Sequence, residues 1–467
     1  MSQAGKLSLR LATHASTVQW EQIPATAVRA AKWSLLDALG VSLAASRLGE
    51  GCGAFAQLAA QGGGPCQLLG RPARTSASLA ALANGALAHA LDFEDVYDDA
   101  PVHASAAAVP AALALAQQRG GVSGADLVAA LAIGTDLSCR LGLALLESPE
   151  RWGWYPPPIL GAQGAATACA RLLRLDAAHY LDAWSLALCQ STCSNEFKHT
   201  ADSTLRAVRD GFAAQAGLQG ALLAALGARG FDAPFEGRAG LFALYAGGHY
   251  LPARLLESLG ETFEGAHVSY KRYPSCRGTH PYVDAALVLH GEGVAPDQIE
   301  SVTLTGNALM SMLAEPPERK RSPVTAIDAK FSAFFCFAYA LVHGRMDLDS
   351  FNQAALGDAR VLALAQRTRY QADAGRPVHR MSAGRTALQL RNGGSRVIDV
   401  ESPRGAPANP LTESELIAKF RDCAQRALHP PGAAVLERLI GIVLDLERVH
   451  DLDASLFPAL GEFTGAA

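Results

Sequence analysis

The chain has 467 residues, 49% of them hydrophobic and 18% charged, with a formal net charge of −4. That length exceeds one hydrophobic core and predicts two domains, and the composition excludes a disordered chain. The slight negative charge gives no general surface for nucleic acid, so an anion site must come from a local cluster of Lys, Arg and His.

Residues 1–20 carry Lys6 and Arg10 but no acid, as transit peptides do; no long apolar core follows, and the stretch reads as a first helix. From about residue 24 to 260 the periodicity is helical. Pro24 opens one helix whose Val28, Ala31, Leu35, Leu36 and Leu39 share a face. Ser123 with Asp126 forms a capping signal before Leu127 and Val128. Gly161, Gly164, Ala165 and Ala166 let a helix ending near Arg171 approach its neighbours closely. Gly211 to Ala228 is rich in Ala and Gly and contains Gln215 and Gln219, so it reads as a buried helix and not as a membrane span. A cytoplasmic protein without membrane contact is expected.

After Tyr270 the pattern changes. Val302, Leu304 and Gly306 alternate with Thr303 and Thr305, a strand signal. Residues 385–390 and 396–400 flank Asn392-Gly393-Gly394, which predicts a β-hairpin. Between these strands, residues 329–342 read as one helix. Helical periodicity returns after Pro410, with Leu416, Phe420 and Cys423 on one face. The prediction is a mainly α protein with an inserted α+β domain. A helical-bundle body (1–269 and 406–467) carries a smaller lid (270–405).

Three segments could carry chemistry. His89, Asp92, Glu94 and Asp95 follow a helix of small residues and precede His103 and Ser105, a candidate N-cap. Acids at a helix C-terminus oppose the dipole, so the run is either a solvated loop or a site that needs them. Residues 271–281 hold Lys271, Arg272, Arg277 and His280 at the expected domain junction. Such a run is either a charged linker or a carboxylate-binding segment. Residues 195–211 hold Lys198, His199, Arg206 and Arg209, with the two arginines one turn apart if helical; they face an anion or the solvent. The nine cysteines are scattered, with Cys189 and Cys193 closest, and no zinc spacing appears. Nucleotide loops, the GxSxG elbow and HExxH are absent, so no metal and no cofactor is expected.

Taken together, these segments resemble the MmgE/PrpD family, which includes 2-methylcitrate dehydratases, cis-aconitate decarboxylases and an iminodisuccinate epimerase. The resemblance rests on residues 84–108, similar to NGxxxHxLDFDD with a following HPS; on 270–286, similar to YKPYPxCxxTHPxxDAA; on 329–344, similar to AKFSxxYxxAxALxxG; and on 409–424, similar to NPLTxxELxxKFRDCA. It implies a homodimer, a site between a helical domain and its lid, and cofactor-free proton removal beside a carboxylate. Asp92 and His103 match the family's acid and histidine, and Lys271 matches its substrate-binding lysine. The family's GFHPTG histidine is Tyr155 here, its KPLHxG lysine is Arg206 and that segment's histidine is Arg209; Phe335 stands where a tyrosine is common.

A neutral phenol is a poor base but a fair donor, and Arg206 keeps charge without shuttling protons. The resemblance therefore implies a carbon–oxygen lyase of the dehydratase type on a hydroxy- or unsaturated di- or tricarboxylate. His103 is the acid/base group oriented by Asp92. Tyr155 is a donor to the leaving group, and Lys271, Arg206, Arg277 and His280 hold carboxylates. The alternatives are a decarboxylase, an isomerase or epimerase, and a catalytically silent carboxylate-binding homologue.

Overall fold

A computed structural model describes residues 6–200, 203–375 and 382–465. The chain divides into two compact units, Met1–Val268 with Thr412–Ala467, and Ser269–Leu411. The sequence expects junctions after residues 269 and 405. The second lies later because Gly405 N–H donates to Asn409 and Gly405 C=O accepts from Tyr270 N–H, which ties the proline-rich turn to the smaller unit.

The larger unit is helical. Its main helices are α1 (Ala25–Leu48), α2 (Ala77–His89), α3 (Ala104–Arg119), α4 (Gly124–Leu143), α5 (Pro156–Leu172) and α6 (Asp210–Ala225). Pro24 precedes α1, where its missing N–H costs nothing, and Ser123 caps α4 by accepting from Asp126 N–H. Nearly every residue of α5 is buried, which explains its small side chains. A Cβ on Gly164 would meet Gly134 O at 2.7 Å, so α4 and α5 cross with their backbones almost touching. The same device joins α2 and α6, where a Cβ on Gly85 would meet Gly211 Cα at 2.9 Å. That crossing matters for the site, because it brings the last residue of α2, His89, beside the first residue of α6, Asp210.

Helix α6 is not buried all round. Phe212 and Leu223 are exposed along it, and Leu226 just beyond it is 84% exposed. Nor does Ser105 cap α3. His103 is the N-cap residue, and Ser105 lies inside the first turn with its N–H and hydroxyl directed to Asp95. Among the described residues no helix is long and apolar enough to cross a membrane. All nine cysteines are free thiols.

The smaller unit is built on a four-stranded sheet of β1 (Ile299–Gly306), β2 (Thr368–Ala372), β3 (Gly384–Leu390) and β4 (Ser395–Val400), in the order β2-β1-β3-β4. β1 pairs parallel with β2 and antiparallel with β3. The β3–β4 hairpin turns at Asn392–Gly394, with Gly393 at φ +85° and Gly394 N–H donating to the Asn392 side chain. Helices α7 (His280–Gly291) and α8 (Ala333–His343) share a core with the sheet through Val283, Leu304, Phe334, Phe337 and Leu388. The expected single helix over 329–342 is broken. A short helix ends at Lys330, and Ser332 caps α8 by accepting from Phe335 N–H, which competes with continuing the helix.

Candidate active site

The histidine–acid segment folds into the interior of the larger unit. Helix α2 stops at His89, and the chain runs irregularly to α3. Asp92 adopts φ +52°, a left-handed conformation that Asp tolerates better than most residues. From there, alternate side chains serve different purposes. Phe93 and Asp95 anchor the loop. Lys419, from the helix Glu413–Gln425, donates to Phe93 C=O at 2.6 Å and pairs with Asp37 of α1 at 2.6 Å. Asp95 accepts from the hydroxyls of Ser34 (2.6 Å) and Ser105 (2.7 Å), fastening the loop to α1 and α3. Burial holds the Asp95 carboxyl above its ordinary range, with the two serines opposing that.

Asp92 and Glu94 come together with His89 and His103. Glu94 Oε1 lies 2.5 Å from His89 Nδ1 and 2.8 Å from His103 Nδ1, so one carboxylate oxygen holds two imidazoles. The rings meet edge-to-face, with centroids 4.9 Å apart. His89 and Glu94 are buried, while the His103 side chain is 12% exposed. A carboxylate at Nδ1 keeps a proton there and leaves Nε2 with its lone pair, the arrangement a general base needs. The sequence assigns the orienting role to Asp92. The structure gives the Nδ1 contact to Glu94; the Asp92 donor atom lies within 4.8 Å of those of His89, Glu94 and His103.

Beside this trio, Asp210 Oδ2 lies 3.7 Å from His89 Nδ1 and 3.6 Å from Arg209 Nε. Burial lowers the His89 pKa, as does Arg209, against the opposing pull of Glu94 and Asp210. His89 is therefore held neutral. Its place at the acid was not assigned from sequence, although a histidine five residues before the acid was the available signal.

Tyr155 is the N-cap residue of α5, and its surroundings differ from those its neighbours suggest. Trp154 and Pro156–Pro158 predict an apolar setting. Instead Arg209 lies over the Tyr155 ring at 4.6 Å and Lys198 at 4.9 Å, with Phe197 packed edge-on at 5.0 Å. Both cations come from the 195–209 segment, far along the chain. Arg209 also donates to the Tyr155 hydroxyl at 3.4 Å. Burial raises the phenol pKa more than Arg209 and Arg206 lower it, so the hydroxyl stays protonated and can donate but not act as a base. Arg206 is part-buried, with its guanidinium 5.6 Å from the Phe197 ring.

Lys271, Arg277 and His280 belong to the smaller unit, where all three are buried, unlike an ordinary linker. Arg277 donates to Arg404 C=O at 3.2 Å and to the Ser269 hydroxyl at 3.3 Å, and lies 3.3 Å from His280 Nδ1. Phe335 is in that unit's core, against Tyr339 and Phe351.

Residues 9–253 match the family described as the MmgE/PrpD N-terminal domain, and residues 273–441 match the MmgE/PrpD C-terminal domain. A cis-aconitate decarboxylase-like protein of Aspergillus oryzae is 26% identical, with 98% of each chain covered. Cis-aconitate decarboxylase of Aspergillus terreus is 25% identical over 95% of this chain and 93% of its own. The Homo sapiens cis-aconitate decarboxylase is 27% identical over 81% and 78% respectively.

Proposed function

The chain belongs to the MmgE/PrpD family, and on that premise we propose that it is a cofactor-independent lyase moving a proton beside a carboxylate of a small polycarboxylate. The first candidate reaction is decarboxylation of a cis-aconitate-like tricarboxylate, the activity named for the relatives above. The observation that carries the reading is the 2.8 Å contact between His103 Nδ1 and the buried Glu94 carboxylate. It fits an imidazole whose Nε2 takes or returns the proton at carbon. Arg206, Lys271, Arg277 and His280 are the candidate carboxylate ligands; Arg206 and Arg277 suit a bidentate grip.

Dehydration of a hydroxy-polycarboxylate is the second reading, favoured by the Tyr155 hydroxyl. Held protonated and near Arg209, it suits donation to a leaving hydroxide. Proton NMR of the protein with cis-aconitate and with 2-methylcitrate separates the two. Loss of carbon dioxide supports the first, loss of water supports the second, and no turnover or proton exchange with either contradicts the lyase assignment. The proposal includes a homodimer, to which the exposed Phe212, Leu223 and Leu226 could contribute. Analytical ultracentrifugation showing only monomer would remove that part.

A further inference from the structure

His89, Asp92, Glu94 and His103 each offer one donor atom, and the four atoms lie within 4.8 Å of one another. Two imidazole nitrogens and two carboxylate oxygens are the donor set of a borderline divalent ion. No stock metal motif has this spacing, because the loop between α2 and α3, not a helix turn, gathers the ligands. We propose that this cluster is a binding site for one divalent cation of the zinc or cobalt class, whose occupancy blocks proton transfer at His103.

Three features support binding. The ligands are already close: the two imidazole Nδ1 atoms point at one Glu94 oxygen, at 2.5 and 2.8 Å. A tetrahedral ion needs donors roughly 3.4 Å apart, so the Glu94 contacts must open and the widest pair must close, both small side-chain movements. The backbone bearing the ligands is pinned, by Lys419 at Phe93 and by Ser34 and Ser105 at Asp95, so the donors cannot splay far. The charge also favours a cation. Asp92, Glu94 and Asp210 are all buried there. Among the described residues the Asp210 carboxylate oxygens make no hydrogen bond, and Oδ2 lies 3.7 Å from His89 Nδ1. Arg209 opposes the ion, but it is one guanidinium against three carboxylates.

An ion taken up through the Nδ1 atoms that now face Glu94 uses both imidazole lone pairs there and the Glu94 oxygen that holds them. It therefore dismantles the arrangement that orients His103. This second half rests on the acid/base reading above; the binding half does not.

The test uses the purified full chain, stripped with a chelator. Zn²⁺ is titrated by calorimetry and Co²⁺ by visible absorption. The expected result is one saturable equivalent, with Co²⁺ ligand-field bands and no thiolate charge-transfer band. His89→Asn and Glu94→Gln should each weaken binding at least about a hundredfold, while Cys189→Ser, which removes the exposed thiol, should change nothing. Circular dichroism checks the fold, and Asp92→Asn replaces either variant if one does not fold. No saturable binding, binding that survives the substitutions, or binding lost with Cys189→Ser overturns the site. Zn²⁺ that binds there but leaves proton exchange into cis-aconitate intact overturns the blocking role alone. Exchange absent even from the stripped protein would count against the lyase reading, with the site still decided by calorimetry.

Discussion

The two charged segments that stand out in the sequence fold into opposite kinds of interior. Residues 89–103 bury carboxylates and imidazoles against each other, with Glu94 shared between His89 and His103. Residues 271–280 bury cations, and Arg277 satisfies itself on a backbone carbonyl and a serine hydroxyl within its own unit. The first segment sets one buried carboxylate oxygen against two imidazoles. The second holds fixed positive charge. Composition alone leaves each open between a bland and a functional role, and burial rules out a solvated loop for the first and an ordinary linker for the second.

The largest effect that sharpens this contrast is on stability. Lys419 is joined directly to the acid loop's anchor, and Lys419→Met leaves Asp37 buried without this partner. Breaking a buried pair costs about 3–5 kcal/mol, so chemical denaturation should show a loss of that order; a change under 1 kcal/mol would mean that the loop is held otherwise. On the cationic side, Lys271→Ala should weaken binding of the cognate acid by about 2–5 kcal/mol while leaving the fold intact. An unchanged dissociation constant would remove Lys271 from binding.

Tyr155→Phe tests a group between the two kinds. It keeps the ring beneath Arg209 and Lys198 and removes only the donor, so turnover should fall by about tenfold, near the worth of a hydrogen bond involving a charged group. Complete loss would mean that the phenol does the chemistry.

The smallest effect concerns His14, an imidazole that lies near Arg140 and not beside a carboxylate among the described residues. Burial, and then Arg140, lower its pKa to about 4 from 6.5. The unfolded chain therefore takes up this proton first. The stability His14 contributes is complete above pH 6.5 and is lost as pH falls toward 4. His14→Gln should flatten that loss between pH 7 and 5 relative to the parent chain. Identical slopes would show that the site does not titrate this way.

The fold was legible where local chemistry decides it. Proline before α1, the Ser123 cap, the alternation of β1 and the Asn392–Gly394 turn all sit in windows of a few residues. The break at residues 331–332 was missed because Ser332 caps α8 from inside an apolar stretch whose periodicity runs on. At the site, the residues were legible but their partners were not. Asp92 and Glu94 are both acids before His103, and only the loop's path decides that Glu94 reaches Nδ1. The cations around Tyr155 arrive from residues 198–209, and Asp210 meets His89 only because Gly85 and Gly211 let two helices touch. Tertiary contacts of this kind leave no local pattern.

On the proposed mechanism His103, held by Glu94, moves the proton. The direct measurement is deuterium incorporation into cis-aconitate or its product in D₂O, followed by NMR, for the parent chain, His103→Ala and Tyr155→Phe, each first shown to be folded. Incorporation should slow by about 10²–10⁴ in His103→Ala, the usual worth of a general acid or base, and persist in Tyr155→Phe. Undiminished exchange in His103→Ala, or exchange abolished only in Tyr155→Phe, would contradict the assignment.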